Sequence, residues 1–465
     1  MMSLSIDPRD RKPLVDQIVA SVSEQIESRA LMPGSRLPSI RNFSKDYKVS
    51  RFTVVEAYDR LVAMGYVRSR PGAGFFAAGR TNSHGSAETL SAPDHAVGVV
   101  WLFRRFLDEH EERVLAGSPW LPDEWMDQAG LRRNLRSLAQ AGAQHLHAYG
   151  IPKGYLPLRQ QLQVKLSELG VAAETEQIVL THGVSQALDL AMRSLLKPGD
   201  SVLVDDPGYY NFFGNLRTYG VKLYGVPRNP DGPDFAALMH LAETHKPKLY
   251  FTQSVMQNPT CSDMSPAVAF RVLQAAEKHD FLVVEDDVFC DLQPAPTQRL
   301  ATLDQLNRVI YVSSFSKTLS GSLRVGYVAC RRDLAEKITD MKMLSCITTS
   351  QMGERLVYQM LVEGHYRKFL ERLRERLEAA RTQALKTMEE IGIKVFVEPS
   401  AGMFVWARFP QIEDSAELSN RAFRKGVILA PGAVFRPHLE RSAWMRFNVS
   451  VFDTPLLLKF LRDLA

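Results

Sequence analysis

Apolar positions along this chain change period several times, and the changes mark its organisation. From Leu14 to Leu31 they recur every four residues, at Leu14, Ile18, Val22 and Ile26, which predicts a helix that Pro33-Gly34 ends. A second helix is expected from about Ser39 to about Val49. Ser50 reads as the N-cap of a third, with Val54, Tyr58 and Leu61-Val62 facing inward and Gly65 as its stop. Tyr66 to Arg70 alternates as a strand does, Pro71-Gly72-Ala73-Gly74 is a turn, and Phe75-Phe76 starts the return strand. Three helices and a hairpin predict a winged helix-turn-helix. The stretch from Gly79 to about Val97 is small and polar and reads as a linker. From about Val99 short strand-like runs alternate with helical segments. Ile178–Thr181, Val202–Val204, Leu249–Phe251, Phe281–Val284 and Val309–Val312 read as strands, which predicts a mostly parallel sheet under covering helices. His365–Ile391, rich in Arg, Glu and Leu, reads as a structural helix with i,i+4 ion pairs, and Met341–Met352 as core packing.

Length and charge sharpen this division. A chain of 465 residues is too long for one ordinary domain. No apolar run reaches the roughly 18 residues that span a bilayer. The first residues lack the layout of a signal peptide, and four cysteines form no CxxC pair. Reduced thiols, a cytoplasmic location and no metal site are therefore expected. Residues 1–80 hold 13 basic and 8 acidic side chains, which accounts for the whole net charge of +5; the other 385 residues carry 44 of each sign. A basic head on a neutral body suits a nucleic-acid-binding module. A solvated basic surface without a partner has the same counts, and charge alone leaves the two readings open. The placement of polar groups favours double-stranded DNA. Ser50, Arg51 and Thr53 fall on the first turn of the third helix, Arg41 lies on the second, and Arg68 and Arg70 arm the wing.

The body carries candidate chemistry at the ends of its predicted strands. Ser313-Ser314-Phe315-Ser316-Lys317 follows one strand, with Arg324 seven residues on. A lysine in such a turn can form a Schiff base with an aldehyde, while the serines and arginine hold a phosphate beside it. Pyridoxal phosphate (PLP) has both groups. His182-Gly183-Val184-Ser185-Gln186 turns from strand into a helix expected near Gln186, and backbone N–H groups there, with Ser185, suit a phosphate. After Val204 comes Asp205-Asp206-Pro207-Gly208-Tyr209-Tyr210, where Tyr209 is the candidate to stack on a pyridine ring. Asn258, in Gln257-Asn258-Pro259-Thr260, can bond the ring hydroxyl O3′. Asp286 follows a buried strand, and an aspartate against the pyridine nitrogen keeps the ring protonated as an electron sink.

These motifs resemble known families. Pro33-Gly34-Ser35-Arg36-Leu37-Pro38-Ser39-Ile40-Arg41, Val49-Ser50-Arg51-Phe52-Thr53-Val54, Gly65-Tyr66-Val67 and Gly72-Ala73-Gly74 closely resemble the GntR-type winged helix, which adds Gly72 and Gly74 of the wing to the expected DNA contacts. The order Gly-turn, aromatic, Asn-Pro, Asp, Lys, Arg resembles fold-type I PLP enzymes of the aspartate aminotransferase superfamily. That resemblance implies Lys317 as the Schiff-base lysine, Asp286 as the ring-nitrogen partner, Asn258 as the O3′ donor and Tyr209 as the stacking ring. It implies Ser314, Ser316 and Arg324 at the phosphate. Tyr149 would reach the phosphate of a partner subunit, making the protein a homodimer, and Arg446 would grip an α-carboxylate. Gly402–Trp406 and Pro431–Phe435 match small-domain signatures of the same superfamily. Two departures stand out. The usual tyrosine after the ring-nitrogen aspartate is replaced by Val288 and Phe289, neither of which can donate a hydrogen bond, and Cys261 stands where glycine is usual.

Head and body together resemble the MocR family of bacterial transcriptional regulators. The expected fold is an N-terminal winged helix-turn-helix (1–80) and a linker (81–97), then an α/β fold-type I PLP-dependent transferase domain with a smaller α+β subdomain (98–465). The large part would cover about 135–345, and the small part about 346–465 with 98–134. The resemblance implies a regulator that senses an amino acid, an amine or PLP itself. The alternative is a working class I/II aminotransferase carrying a DNA-binding head.

Overall fold

The computed structural model describes residues 6, 7, 10, 12–28, 30–70, 73–78, 99–107, 113–140, 147–295 and 297–464. The expected linker and Gly72 lie outside them. The chain divides into two compact units, Met1–Ala92 and Pro93–Ala465.

The first unit is the expected winged helix. Helices α1 (Leu14–Glu27), α2 (Ile40–Asp46) and α3 (Arg51–Ala63) precede the antiparallel pair β1 (Val67–Arg70) and β2 (Gly74–Ala77). Ile18 and Val22 of α1 pack with Phe43 of α2 and with Val54, Tyr58 and Leu61 of α3, all fully buried. Serine side chains cap two of the helices: Ser39 accepts from the Asn42 N–H at 3.2 Å and Ser50 from the Thr53 N–H at 3.0 Å, each contributing about 1 kcal/mol. Gly65 stops α3 in the left-handed region at φ 75°. Three boundaries differ from expectation. The first helix ends at Glu27 because Ile26 is its last core position. The second ends at Asp46 because Lys48 turns left-handed at φ 54°. Gly74 is not in the turn but opens β2, paired with Arg70.

The second unit is an α/β body built on an eight-stranded sheet. Its strands are β3 (Ile178–Thr181), β4 (Ser201–Asp206), β5 (Lys222–Asn229), β6 (Gly232–Pro233), β7 (Leu249–Thr252), β8 (Leu282–Asp286), β9 (Val309–Ser314) and β10 (Gly326–Ala329). The order is β3-β10-β9-β8-β7-β4-β5-β6; β9, β8, β7, β4 and β5 run parallel, and β10 is antiparallel to both its neighbours. Buried residues alternate between two apolar layers. Val283, Val309 and Tyr311 face one, and Val284, Ile310 and Val312 face the other. That is why these strands read as continuous apolar runs. A smaller antiparallel sheet joins β11 (Lys394–Val395), β12 (Phe404–Arg408), β13 (Ala430–Pro431) and β14 (Met445–Asn448) in the order β11-β12-β14-β13.

The long helix spans His365–Glu390, with one of its expected i,i+4 pairs at Arg367–Glu371. The expectation that Met341–Met352 packs into the core holds only at Met341, which packs against the second apolar layer, and at the buried Thr349. Met343, Leu344, Ile347 and Met352 are exposed, Leu344 at 84%. Among the described residues no helix is long and apolar enough to cross a membrane.

Candidate functional site

Parallel strands end together, so β4, β7, β8 and β9 deliver their C-terminal residues to one edge of the sheet. The turn after β3 and the start of β10 reach the same edge. Ligands of open α/β sheets bind in such a crevice. Here it is a cavity of about 820 Å³, within the usual range for small-molecule sites.

Asp286 closes β8 and lines the cavity, 2% exposed. One carboxylate oxygen accepts the Val288 N–H at 3.1 Å and the other accepts Gln253 Nε2 at 2.9 Å. Burial pushes its pKa up to about 7, with a further push from Asp287. Lys317 lies in the turn after β9, and its Nζ donates to the Pro119 carbonyl at 2.6 Å. Burial, then Arg446, lowers the Lys317 pKa to about 8, against the pull of Asp286. A lysine so placed carries a far larger neutral, nucleophilic fraction near neutral pH than a solvated one.

The phosphate candidates gather at one end. Ser314, Ser316, Ser185 and Arg324 all line the cavity. The Ser316 hydroxyl is buried and has no hydrogen-bond partner. Arg324 adopts φ 52° and donates to the His182 carbonyl at 3.2 Å. Glycine suits position 183 because φ is 72°, a conformation that side-chain-bearing residues rarely adopt, and it leaves room for the Arg324 guanidinium 2.8 Å from where a Cβ would stand. The helix after β3 starts at Gly183 rather than near Gln186, so Ser185 sits in its first turn.

Tyr209 lines the cavity as the N-cap residue of the helix Tyr210–Tyr219. Asn258 also lines it, its side-chain oxygen taken by Arg446 Nη1 at 2.6 Å. Arg446 is fully buried, and its Nη2 donates to the Gly117 carbonyl at 2.7 Å. The rings of Phe404 and Phe435 lie 4.4 and 5.0 Å from its guanidinium carbon. Among the described residues no carboxylate pairs with it, and its Nε has no partner. Tyr149 is 80% exposed and does not line this cavity. Val288 and Phe289 line it where the resemblance leads one to expect a tyrosine. Cys261 has the φ of 54° that glycine usually supplies.

Two groups of residues escaped the sequence reading. Gln253 is 3% exposed and joins two candidates, since its Nε2 bonds Asp286 while its Oε1 accepts the Asn258 N–H at 2.7 Å. The segment Ala116–Trp120 brings Pro119 and Trp120 into the wall. Asn448 holds that segment, its backbone N–H donating to the Ala116 carbonyl and its side chain to the Trp120 carbonyl. A position one residue past β7 was the available signal for Gln253; Pro119 and Trp120 had none.

In the first unit Arg41, Arg51, Arg68 and Arg70 are exposed, on α2, the start of α3 and β1. The Ser50 and Thr53 hydroxyls are 2.8 Å apart at the α3 N-terminus. The Arg70 guanidinium lies over Phe76 at 5.0 Å. Gly74, at φ 104°, starts the return strand.

A winged-helix head and a body with a lysine and an aspartate facing one cavity at the strand ends define a DNA-binding module fused to an aminotransferase-like domain. Comparison with known proteins agrees. Residues 14–77 match the bacterial regulatory proteins of the gntR family, and residues 117–464 match aminotransferase class I and II. The chain belongs to the aminotransferase class I and II family, and its gntR-type head gives it the architecture of the MocR-type transcriptional regulators. The uncharacterised HTH-type transcriptional regulator YdfD of Bacillus subtilis is 28% identical over 98% of both chains. The probable rhizopine catabolism regulatory protein MocR of Rhizobium meliloti is 28% identical over 90% of this chain and 86% of its own. The 2-aminoadipate transaminase of Thermus thermophilus is 30% identical over 75% of this chain and 88% of its own. Among solved structures, the kynurenine aminotransferase of Pyrococcus horikoshii superposes with a TM-score of 0.73 and 26% identity, over 83% of this chain and 96% of that one.

Proposed function

We propose that the body of this regulator holds PLP at Lys317, and that an amino compound bearing a carboxylate binds beside it and changes how the head engages DNA. The observation that carries the reading is the set of groups gathered at one cavity. Lys317, its pKa depressed to about 8, the buried Asp286 and the partnerless Ser316 hydroxyl line it, and Arg446, buried without a carboxylate, bonds the lining residue Asn258 from behind. Each has a counterpart in the ligand pair, so the residues present fit the group. Bound PLP supplies an aldehyde to the lysine and an electron-withdrawing ring.

The chain's own residues do the rest. Lys317 offers the amine. Asp286 holds a proton at the ring nitrogen, and Gln253 fixes its carboxylate. Tyr209 stacks on the ring, and the Asn258 amide nitrogen, its oxygen being taken, meets the ring hydroxyl. Ser185, Ser314, Ser316 and Arg324 bind the phosphate. Arg446 orients the carboxylate of the amino compound, already stripped of water by its aromatic surroundings. Tyr149 acts in trans in a homodimer: it is exposed, as are Ile151, Leu344 and Ile347, and exposed large apolar side chains are what subunits cover. In the head, Arg41, Arg51, Arg68 and Arg70 contact phosphates and bases with Ser50 and Thr53, and Gly72 and Gly74 shape the wing.

Regulation requires that the ligand bind one arrangement of the heads better than another, and such couplings are typically about 1–3 kcal/mol. A second reading, a working aminotransferase with a DNA-binding head, is supported by the likeness to the transaminases. Val288 and Phe289, which cannot hydrogen-bond a ring hydroxyl, weigh against it.

The test is a visible absorption spectrum of the protein with PLP, then with a panel of amino acids, and with Lys317→Ala as control. A band that requires Lys317 and shifts with one amino acid supports the proposal. No lysine-dependent band would sink it. Steady turnover of an amino donor and a keto acid would favour the second reading.

A further inference from the structure

One large apolar side chain in the head has no inward role. Phe52 is 77% exposed on the first turn of α3. The buried Val54, Ala57, Tyr58 and Leu61 fix the inward side of this helix. At 3.6 residues per turn, Phe52 stands about 160° round from Val54, on the opposite side. The same outward stripe continues through Glu56 and Asp59. Glu56 is tied to Arg60 at 2.7 Å, and Arg60 reaches on to Asp16 at 2.9 Å. Carboxylates on the later turns repel phosphates, so the helix can approach DNA closely only by its first turn. There Phe52 sits between Arg51 and Thr53, with Ser50 capping the end. Arg41, Arg68 and Arg70 supply cations from the neighbouring elements.

We propose that Phe52 reads thymine by packing on its 5-methyl group in the major groove. A phenyl ring neither donates nor accepts a conventional hydrogen bond, so it cannot read the polar atoms of a base edge. The apolar mark on the major-groove edges is the thymine methyl, and phenylalanine is among the side chains that contact it. The surrounding arginines place the partner as DNA rather than an apolar protein surface, because such a surface would leave those cations uncompensated. The inference rests on the head being a DNA reader, and it adds which base the first turn of the recognition helix selects.

The test starts by selecting a tight duplex for the full-length protein from a randomised library. Each thymine is then replaced singly by uracil, which keeps every hydrogen bond and loses only the methyl. Wild type, Phe52→Ala and Phe52→Leu are compared, with salt dependence recorded for each. In wild type, at least one uracil should weaken binding about fourfold, the burial of one methyl-sized group. Phe52→Ala should bind the thymine duplex that much more weakly and no longer distinguish uracil. Phe52→Leu should keep part of the discrimination. Salt slopes should be equal in all three, since no phosphate contact is lost. If wild type prefers the selected sequence but tolerates uracil everywhere, Phe52 is not the reader, and DNA recognition by the head stands. If Phe52→Ala still discriminates uracil, another side chain reads the methyl and the proposal fails. If no sequence can be selected at all, the DNA-reading head and the proposal fail together.

Discussion

Replacing Asp286 by asparagine should stabilise the PLP-free body at high pH, destabilise it at low pH, and remove its hold on PLP. Burial holds this carboxyl at about 7 instead of 3.8. A raised carboxyl pKa means that between about pH 4 and pH 7 the folded protein binds a proton that the unfolded chain has released. Stability therefore falls as pH rises through that window and levels off above it. The gap corresponds to about 4 kcal/mol carried by the ionised carboxylate above pH 7. Asparagine carries none of it. Against this gain stands a lost acceptor. Gln253 Nε2 now donates to Asp286 at 2.9 Å, and Gln253 cannot turn over because its Oε1 holds the Asn258 N–H. An asparagine amide would set donor against donor, at a cost of about 1–3 kcal/mol. The net expectation is a gain of about 1–3 kcal/mol at pH 8.5 and, at pH 5, where only about 1.6 kcal/mol of the gap is in force, a change between a gain of about 0.6 and a loss of about 1.4 kcal/mol. Urea denaturation followed by tryptophan fluorescence measures it, because Trp101, Trp120, Trp125, Trp406 and Trp444 all lie in the body and the head is silent. A change of the same sign and size at both pH values would refute the reasoning.

Three further outcomes follow from single contacts. Gln253→Leu should weaken PLP binding about ten- to a hundredfold in equilibrium dialysis, the worth of one hydrogen bond to a charged group; wild-type affinity would remove Gln253 from the site. Asp205→Ala should cost the body about 3–5 kcal/mol in thermal or urea unfolding, because Arg228, its buried partner at 2.9 Å, is left unpaired; a loss below about 1 kcal/mol would contradict that. Arg446→Met should change the stability of the ligand-free protein by no more than about 2 kcal/mol, since relief of a buried guanidinium without a carboxylate opposes the loss of its bonds to Asn258 and the Gly117 carbonyl. It should keep PLP binding and abolish the spectral response to amino acids, and a retained response would free Arg446 of its role.

Much of the fold was legible because its strands are buried on both faces. The runs at Ile178, Val202, Leu249, Phe281 and Val309 needed no partner information to be read. The candidate site was legible where a strand ended directly in a chemically distinctive residue, as at Asp286 or in the serine-rich turn before Lys317. It was illegible where a residue acts only through what folding brings near it. Gln253 matters because Asp286 and Asn258 converge on its amide. Pro119 reaches Lys317 across nearly two hundred residues of sequence, through a segment held by Asn448. The end of the second helix depended on the left-handed backbone at Lys48 that no composition announces. The apolar residues of 341–352 were read as core because hydrophobicity alone does not tell an interior from a surface awaiting a partner.

The central claim is that a ligand in the body governs the head. It is tested most directly by measuring the affinity of the full-length protein for a selected duplex at fixed salt, without ligand, with PLP, and with PLP plus the amino acid that shifts its spectrum. The account predicts a change of about 5- to 150-fold on adding ligand, absent in Lys317→Ala. Equal affinities in all three conditions, with the ligand demonstrably bound, would contradict it.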